Sequence, residues 1–244
     1  MTKHIGHPTK QNSQRNITLD MTRTLAIVLM VIFHFIYDLK LFGWIDWDIP
    51  DGQGWQQFRW VIVSLFFLAL GSSLHFAYAS SINYSKFLKR VLQISAGALL
   101  ISIASYIAIP SNWIFFGVLH FLALASIICV GFANWPKLSF IIGISFFILA
   151  ASDVLISRWP FHLLFDGLPD YTNDFVAPVP WLGMVFLGIS LGHTQWLKRD
   201  PLQGKINPAV LRFAVWPGQH GLMIYLLHQP IMIALLYGLS LVIS

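Results

Sequence analysis

The sequence predicts an all-α fold, a polytopic bundle of about seven transmembrane helices, and three observations predict this class. Of the 244 residues, 57% are apolar and only 10% are charged, against about 45–50% and about 25% in a typical soluble domain. The apolar residues form long runs, which excludes a disordered or low-complexity chain. At about 20 apolar residues per crossing, the chain holds roughly six to eight spans and no separate soluble domain.

Seven apolar runs, separated by charged residues or by Pro and Gly breaks, define the predicted spans. A polar tail, residues 1–20, comes first and is expected to be cytoplasmic, and residues 21–244 form one membrane domain. The tail is too long and too mixed for a simple signal peptide. In chain order the spans are Leu25–Phe42, Trp60–Tyr78, Val91–Ile109, Phe115–Phe132, Leu138–Ile156, Pro180–Trp196 and Pro217–Ile243.

The loop charges predict the orientation of the bundle. Of the 15 Lys and Arg residues, all but Lys40, Arg59 and Arg158 fall on the side of the N-terminus. Because short cytoplasmic loops are enriched in Lys and Arg, the N-terminus is predicted to be cytoplasmic and the C-terminus outside. The two long outer loops are rich in Asp and Trp, which either anchor at the headgroups or form the mouth of a site for a polar, sugar-like molecule.

The first span carries the densest set of polar residues. Arg23, His34 and Asp38 share one stripe of the helix, and Arg23 lies about 16 Å from His34 at about 1.5 Å per residue. At the i, i+4 spacing, Asp38 can accept a hydrogen bond from one imidazole nitrogen of His34 and leave the other as a general base. The alternative is a buried polar pair that only joins helices.

Arg23 also lies three residues after Asp20, at the predicted entrance of this helix. A helix N-terminus presents unpaired amide groups, and Arg binds phosphate well. Arg23 is therefore a candidate phosphate ligand. The alternative is an interfacial Arg paired with an N-capping Asp.

Three further histidines are site candidates. His220 and His228 share a face of the last predicted helix, but no Cys or Glu lies nearby and no HExxH motif occurs, so no metal is expected. His120, in the fourth span, has no charged neighbour there and is typical of a helix-to-helix hydrogen bond. The single cysteine, Cys129, excludes an intramolecular disulfide. The basic residues are spread over several loops, which argues against nucleic-acid binding.

The order and spacing of several motifs resemble a known family. From Asp20 to Ile231 the chain resembles the bacterial branch of the heparan-alpha-glucosaminide N-acetyltransferase catalytic-domain family. The motifs are Asp20-Met-Thr-Arg23, Met30-Val-Ile-Phe-His34-Phe-Ile-Tyr-Asp38-Leu, Gly71-Ser-Ser, Phe116-Gly-Val-Leu-His120-Phe-Leu-Ala-Leu, Pro180-Trp-Leu-Gly-Met, Leu191-Gly-His193 and Gln219-His220-Gly-Leu-Met-Ile-Tyr-Leu-Leu-His228-Gln229-Pro230-Ile.

The resemblance implies an acyltransferase of the bacterial inner membrane. Such an enzyme takes an acetyl group from cytoplasmic acetyl-CoA and delivers it to a sugar or glycan acceptor on the other side. Arg23 and the basic loops would hold the coenzyme A phosphates, and His34 with Asp38 would activate the acceptor or carry the acyl group. The remaining candidates would line or brace the thioester site; they are His120, His220 and His228.

The sequence departs from the family pattern at two places. Thr24 stands where the family usually has Gly, and no histidine occurs between His34 and His75. Relatives place the catalytic histidine in this outer segment. The role is therefore assigned to His34 because of its chemical character and not because of its position in the sequence.

Two other functions remain open at this stage. One is a proton-coupled transporter in which His34, Asp38 and His228 relay protons, although the chain lacks the repeats typical of carriers. The other is a non-catalytic membrane scaffold. The acceptor, the length of the acyl chain and the formation of a homodimer also stay open.

Overall fold

The computed structural model describes residues 15–152, 159–164, 168–169, 172 and 174–243, and this part of the chain contains helices and no strands. The predicted all-helical class is therefore confirmed. In chain order the helices are α1 (Ile17–Leu41), α2 (Trp55–Tyr78), α3 (Tyr84–Ala108), α4 (Val118–Cys129), α5 (Pro136–Ala151), α6 (Phe161–Leu164), α7 (Pro178–Gly192), α8 (Gln195–Lys198), α9 (Pro208–Gln219) and α10 (Gly221–Ile243).

Four of these helices, α1, α2, α3 and α10, are long and apolar enough to cross a membrane. Three shorter apolar segments cover Val118–Phe132, Pro136–Ala151 and Pro178–Gly192. As described, α5 has 16 residues and rises about 24 Å, less than the hydrocarbon core of about 30 Å. Each predicted span overlaps one of the seven segments, but a count of seven crossings stays a prediction. The end of the fifth predicted span, residues 153–156, lies outside the described residues.

The first helix begins at Ile17, eight residues before the predicted span and inside the predicted polar tail. The side chain of Asn16 caps the helix by accepting from the Leu19 amide at 2.8 Å. The carboxylate of Asp200 accepts from the amides of Ile17 at 2.7 Å and Thr18 at 2.9 Å. These bonds satisfy amides that a helix start otherwise leaves unpaired. Asn16 is a local signal for this start, whereas the contact with Asp200 is distant in sequence and was not predictable from local pattern.

The last predicted span, Pro217–Ile243, is broken at its start. Helix α9 ends at Gln219, His220 has φ −110° and ψ 26°, and α10 begins at Gly221. Pro217 has no amide hydrogen. The next amide, that of Gly218, donates to Oγ1 of Thr24 in α1 at 2.9 Å. The chain therefore leaves the helix where α9 meets α1.

Glycines bring α2, α5 and α7 into close contact. A Cβ on Gly188 would meet the backbone of Leu68 and Gly71 in α2, and one on Gly183 would meet the backbone of Gly143 in α5. This is the small-residue packing of membrane helices. The other flank of α2 packs against α1, which in turn contacts α9 and α10. The candidate site lies along that contact.

Candidate functional site

Helix α10 follows α1 in the same direction. The amide of Gly218, at the end of α9, donates to Thr24 of α1. About three turns further along α1 the rings of His228 and His34 are in contact, and Gln229 then donates to Asp38. Polar residues collect at two levels of this contact. We call the set Asp20, Arg23, Ser73 and Gln219 the Arg23 cluster, and the set His34, Asp38, His228 and Gln229 the His34 cluster.

In the Arg23 cluster, the guanidinium of Arg23 is fixed on two sides. Its Nη1 donates to Oδ1 of Asp20 at 2.6 Å, and its Nη2 donates to Oγ of Ser73 at 2.6 Å. The other oxygen of Asp20 accepts from Gln219 at 3.1 Å and pairs with Arg15 at 3.4 Å. Two of the five guanidinium N–H groups are thus used, and the side chain is 23% exposed. The remaining N–H groups suit an anionic ligand.

The environment of Arg23 differs from the predicted one. Because α1 begins at Ile17, Arg23 lies inside the helix and not at its open N-terminus. The N-terminal amides that were expected to help bind a phosphate donate to the carboxylate of Asp200 instead. The cap is Asn16 and not Asp20. Arg23 can therefore serve a phosphate only through its side chain.

In the His34 cluster, the tautomer of His34 is set by its own helix. Its Nδ1 lies 2.9 Å from the carbonyl oxygen of Met30. A carbonyl oxygen only accepts, so Nδ1 carries the proton of the neutral ring and Nε2 keeps a lone pair. The pairing with Asp38 differs from the predicted one, because Oδ1 of Asp38 accepts from Nε2 of Gln229 at 2.7 Å. A backbone carbonyl, and not Asp38, therefore orients the His34 ring.

His228 has the same arrangement on the facing helix. Its Nδ1 lies 2.8 Å from the carbonyl oxygen of Tyr225 and 3.2 Å from that of Ile224. Its ring contacts that of His34 edge to face, with centroids 4.8 Å apart. Each imidazole thus uses Nδ1 on its own backbone and keeps Nε2 for another partner.

Asp174 joins the site from the connection between α5 and α7, and sequence reasoning did not select it. Its Oδ2 accepts from the Tyr225 hydroxyl at 2.8 Å and from the Val118 amide at 3.2 Å. Burial raises the pKa of the Asp174 carboxyl, and the hydrogen bond from Tyr225 opposes that rise. The backbone carbonyl of Tyr225 accepts from Nδ1 of His228, so Asp174 contacts the helical turn that orients this imidazole.

His120 lies apart from both clusters, and both of its nitrogens have partners. Its Nδ1 accepts from the amide of Gly117 at 3.2 Å, so Nε2 carries the proton and faces Oγ of Ser102 at 3.1 Å. That hydroxyl donates to the Ile114 carbonyl at 2.6 Å. This is the helix-to-helix hydrogen bond that the sequence allowed as an alternative.

His220 lies at the break between α9 and α10. Its Nδ1 is 3.0 Å from the Trp216 carbonyl oxygen, and its ring stacks on the indole of Trp216 with centroids 4.6 Å apart. The side chain is exposed. The helical face that it was expected to share with His228 is interrupted, because His220 ends one helix before the next begins.

Among the described residues, no group of three His, Cys or Asp side chains could hold a metal ion.

Comparison with known proteins gives one match. The model of the family "heparan-alpha-glucosaminide N-acetyltransferase, catalytic" matches residues 15–230. No curated protein and no solved structure matches the chain. The matched range includes both clusters and ends one residue after Gln229.

Proposed function

Since the chain belongs to the heparan-alpha-glucosaminide N-acetyltransferase catalytic family, we propose that it is a transmembrane acetyltransferase of the bacterial inner membrane. It moves the acetyl group of cytoplasmic acetyl-CoA to a sugar or glycan acceptor on the opposite side. In this orientation the N-terminus is cytoplasmic, the C-terminus is outside, and the Arg23 cluster lies nearer the cytoplasm.

The observation that carries the proposal is the lone pair on Nε2 of His34. The acceptor nitrogen or oxygen attacks the thioester carbonyl carbon while Nε2 takes its proton. The new bond to the acetyl carbon forms, the carbon–sulfur bond breaks, and the thiolate of coenzyme A leaves. The imidazolium then returns the proton to sulfur. Nδ1 keeps its hydrogen bond to Met30 throughout, so the ring does not have to rotate between the two transfers.

The donor is held at the other cluster. Arg23 binds a phosphate of coenzyme A with the N–H groups that Asp20 and Ser73 leave available. Arg23 and His34 are separated by about 16 Å along α1, and the extended pantetheine arm bridges this distance. His228 lines the thioester beside His34, whereas His120 and His220 brace helices.

Proton-coupled transport is the alternative function. It would use His34, Asp38 and His228 as a relay through the bundle. Family membership supports group transfer instead, and the proton movement in the proposed mechanism stays between acceptor, imidazole and sulfur.

The experiment separates donor binding from chemistry. Purified protein in nanodiscs is titrated with acetyl-CoA and with desphospho-coenzyme A, and thiol release is then followed with a panel of amino and neutral sugars. Arg23→Ala should weaken acetyl-CoA binding, whereas Arg212→Ala, an exposed cation on α9, should not. His34→Gln should bind acetyl-CoA and lose transfer.

Two outcomes would contradict the proposal at different levels. Full acetyl transfer by His34→Gln would contradict the role of His34 as the base, but it would not contradict the acetyltransferase activity. Absence of saturable acetyl-CoA binding in the unmodified protein would overturn the donor and with it the function.

A further inference from the structure

The His34 cluster contains most of the unsatisfied polar atoms of the interior. Among the described residues, four buried side-chain atoms lack a hydrogen-bond partner, and three of them are Oδ2 of Asp38, Oε1 of Gln229 and Nε2 of His228. Buried polar groups are paired in the great majority of cases. Three such atoms on neighbouring side chains therefore need a common explanation.

The burial of Asp38 without a paired cation needs the same explanation. The residue is 0% exposed, and both ion pairs in the described part of the chain involve Asp20. Lys40, two residues along α1, donates to the carbonyl of Ile49 at 2.9 Å. A buried carboxylate without a cation is so costly that such a group is normally neutralised.

The described titratable groups of the His34 cluster and of the connection before α7 form no ion pair with Asp38. On its own helix, His34 is one turn earlier and its Nδ1 hydrogen is bound to the backbone. On α10, His228 holds its Nδ1 hydrogen in the same way. From the connection before α7, the carboxyl of Asp174 accepts from Tyr225.

We propose that Asp38 is a neutral carboxylic acid whose Oδ2–H donates to Oε1 of Gln229. Together with the bond from Nε2 of Gln229 to Oδ1 of Asp38 at 2.7 Å, this closes a ring of two hydrogen bonds between an acid and a primary amide. One proton then satisfies two of the three unpartnered atoms. Nε2 of His228 is left as the remaining unpaired acceptor of the cluster.

The acid–amide pair fixes α10 against α1 next to the two imidazoles. Gln229 directly follows His228, and Asp38 lies one helical turn after His34. Asp38 is thus a positioning residue. Its neutrality also matters, because a carboxylate here would favour imidazolium, which cannot take a proton from the acceptor. This role rests on the proposed function, whereas the protonation state of Asp38 does not.

The test compares Asp38→Asn with Asp38→Ala. Asn presents one N–H donor and one carbonyl acceptor to Gln229, so it reproduces the neutral acid and forms the same two bonds. Ala leaves the amide unpaired. We expect Asp38→Ala to lower the folded-to-unfolded ratio in detergent by roughly tenfold or more, and Asp38→Asn to restore most of that loss and to transfer acetyl groups faster than Asp38→Ala.

Infrared difference spectroscopy detects the proton on the Asp38 carboxyl directly. The unmodified protein at neutral pH should show a protonated-carboxyl C=O band that shifts in D₂O and is absent from Asp38→Asn. Asp174→Asn, which removes another buried carboxyl, is the matched control and should leave this band in place. A structural role with an ionised Asp38 would give no such band.

Each outcome of these two experiments supports or contradicts the neutral acid–amide pair. Loss of the band in Asp38→Asn together with its rescue of stability supports the neutral pair. No band in the unmodified protein, a band that persists in Asp38→Asn, or an Asp38→Asn variant as unstable as Asp38→Ala overturns it. If the band is present but the unmodified protein binds no acetyl-CoA, the proposed function fails while the neutral pair stands.

Discussion

Removal of the Asp200 carboxylate should detach the start of α1 from the rest of the bundle. Asp200 is 7% exposed and accepts from the amides of Ile17 and Thr18, at 2.7 and 2.9 Å, and from the Thr18 hydroxyl at 2.6 Å. Hydrogen bonds to a charged group contribute about 1.5–3 kcal/mol each. Because water can rebind the partly buried Ile17 amide, we expect Asp200→Ala to cost about 3–5 kcal/mol rather than the full sum.

The backbone of Asp200 requires a second variant. Its φ of 48° lies in the left-handed region, where Ala costs about 1–2 kcal/mol more than Gly. Asp200→Gly should therefore be less destabilised than Asp200→Ala by about that amount. Asn tolerates this φ but lacks the charge, so the free energy of unfolding of Asp200→Asn should lie between those of Asp200→Gly and the unmodified protein.

The assay is equilibrium unfolding in mixed detergent micelles, followed by acetyl-CoA titration. Loss of the α1 start should also weaken acetyl-CoA binding, because Arg23 lies two turns from Ile17 and depends on that start for its position. If Asp200→Ala costs less than about 1 kcal/mol, a value typical of a surface change, the assignment of Asp200 as the anchor of α1 is refuted.

Three further predictions concern packing, the site and topology. Gly188→Ala should destabilise by about 1–3 kcal/mol, because its Cβ meets the α2 backbone, whereas Gly238→Ala, with open space around it, should not in the same unfolding assay. Tyr225→Phe removes the hydroxyl bonded to a buried carboxyl and should cost about 1–3 kcal/mol, against about 0.5 kcal/mol for exposed Tyr106→Phe. Asp46→Cys should react with an impermeant thiol reagent from outside intact cells; protection there with labelling after lysis would reverse the orientation.

Much of the fold could be predicted from local sequence. Within a bilayer each backbone amide and carbonyl must be satisfied inside its own segment, so apolar runs of this length become helices whatever surrounds them. The helices therefore overlap the seven predicted runs. Helix starts and breaks were predicted less well, because Asp200 and Thr24 act on backbone amides that lie 183 and 194 residues away.

The arrangement of the candidate site was likewise predictable only in part from local sequence. Sequence spacing placed His34 and Asp38 on one stripe of α1, and the motif in the last helix contained His228, because residues of one helix keep fixed angular positions. Spacing within a helix does not specify the partner of a side chain. The partner of Asp38 is Gln229, 191 residues away, and that of Asp174 is Tyr225, 51 residues away.

The sequence by itself determined a helical bundle with apolar, membrane-type helices, its family and a set of candidate site residues. Only the tertiary structure decided which of those residues meet. The physical reason is that composition and periodicity act within one segment, whereas the rotation and depth of one helix against another depend on contacts summed over the whole bundle. Those contacts place the rings of His34 and His228 together and set Asp38 against an amide instead of an imidazole.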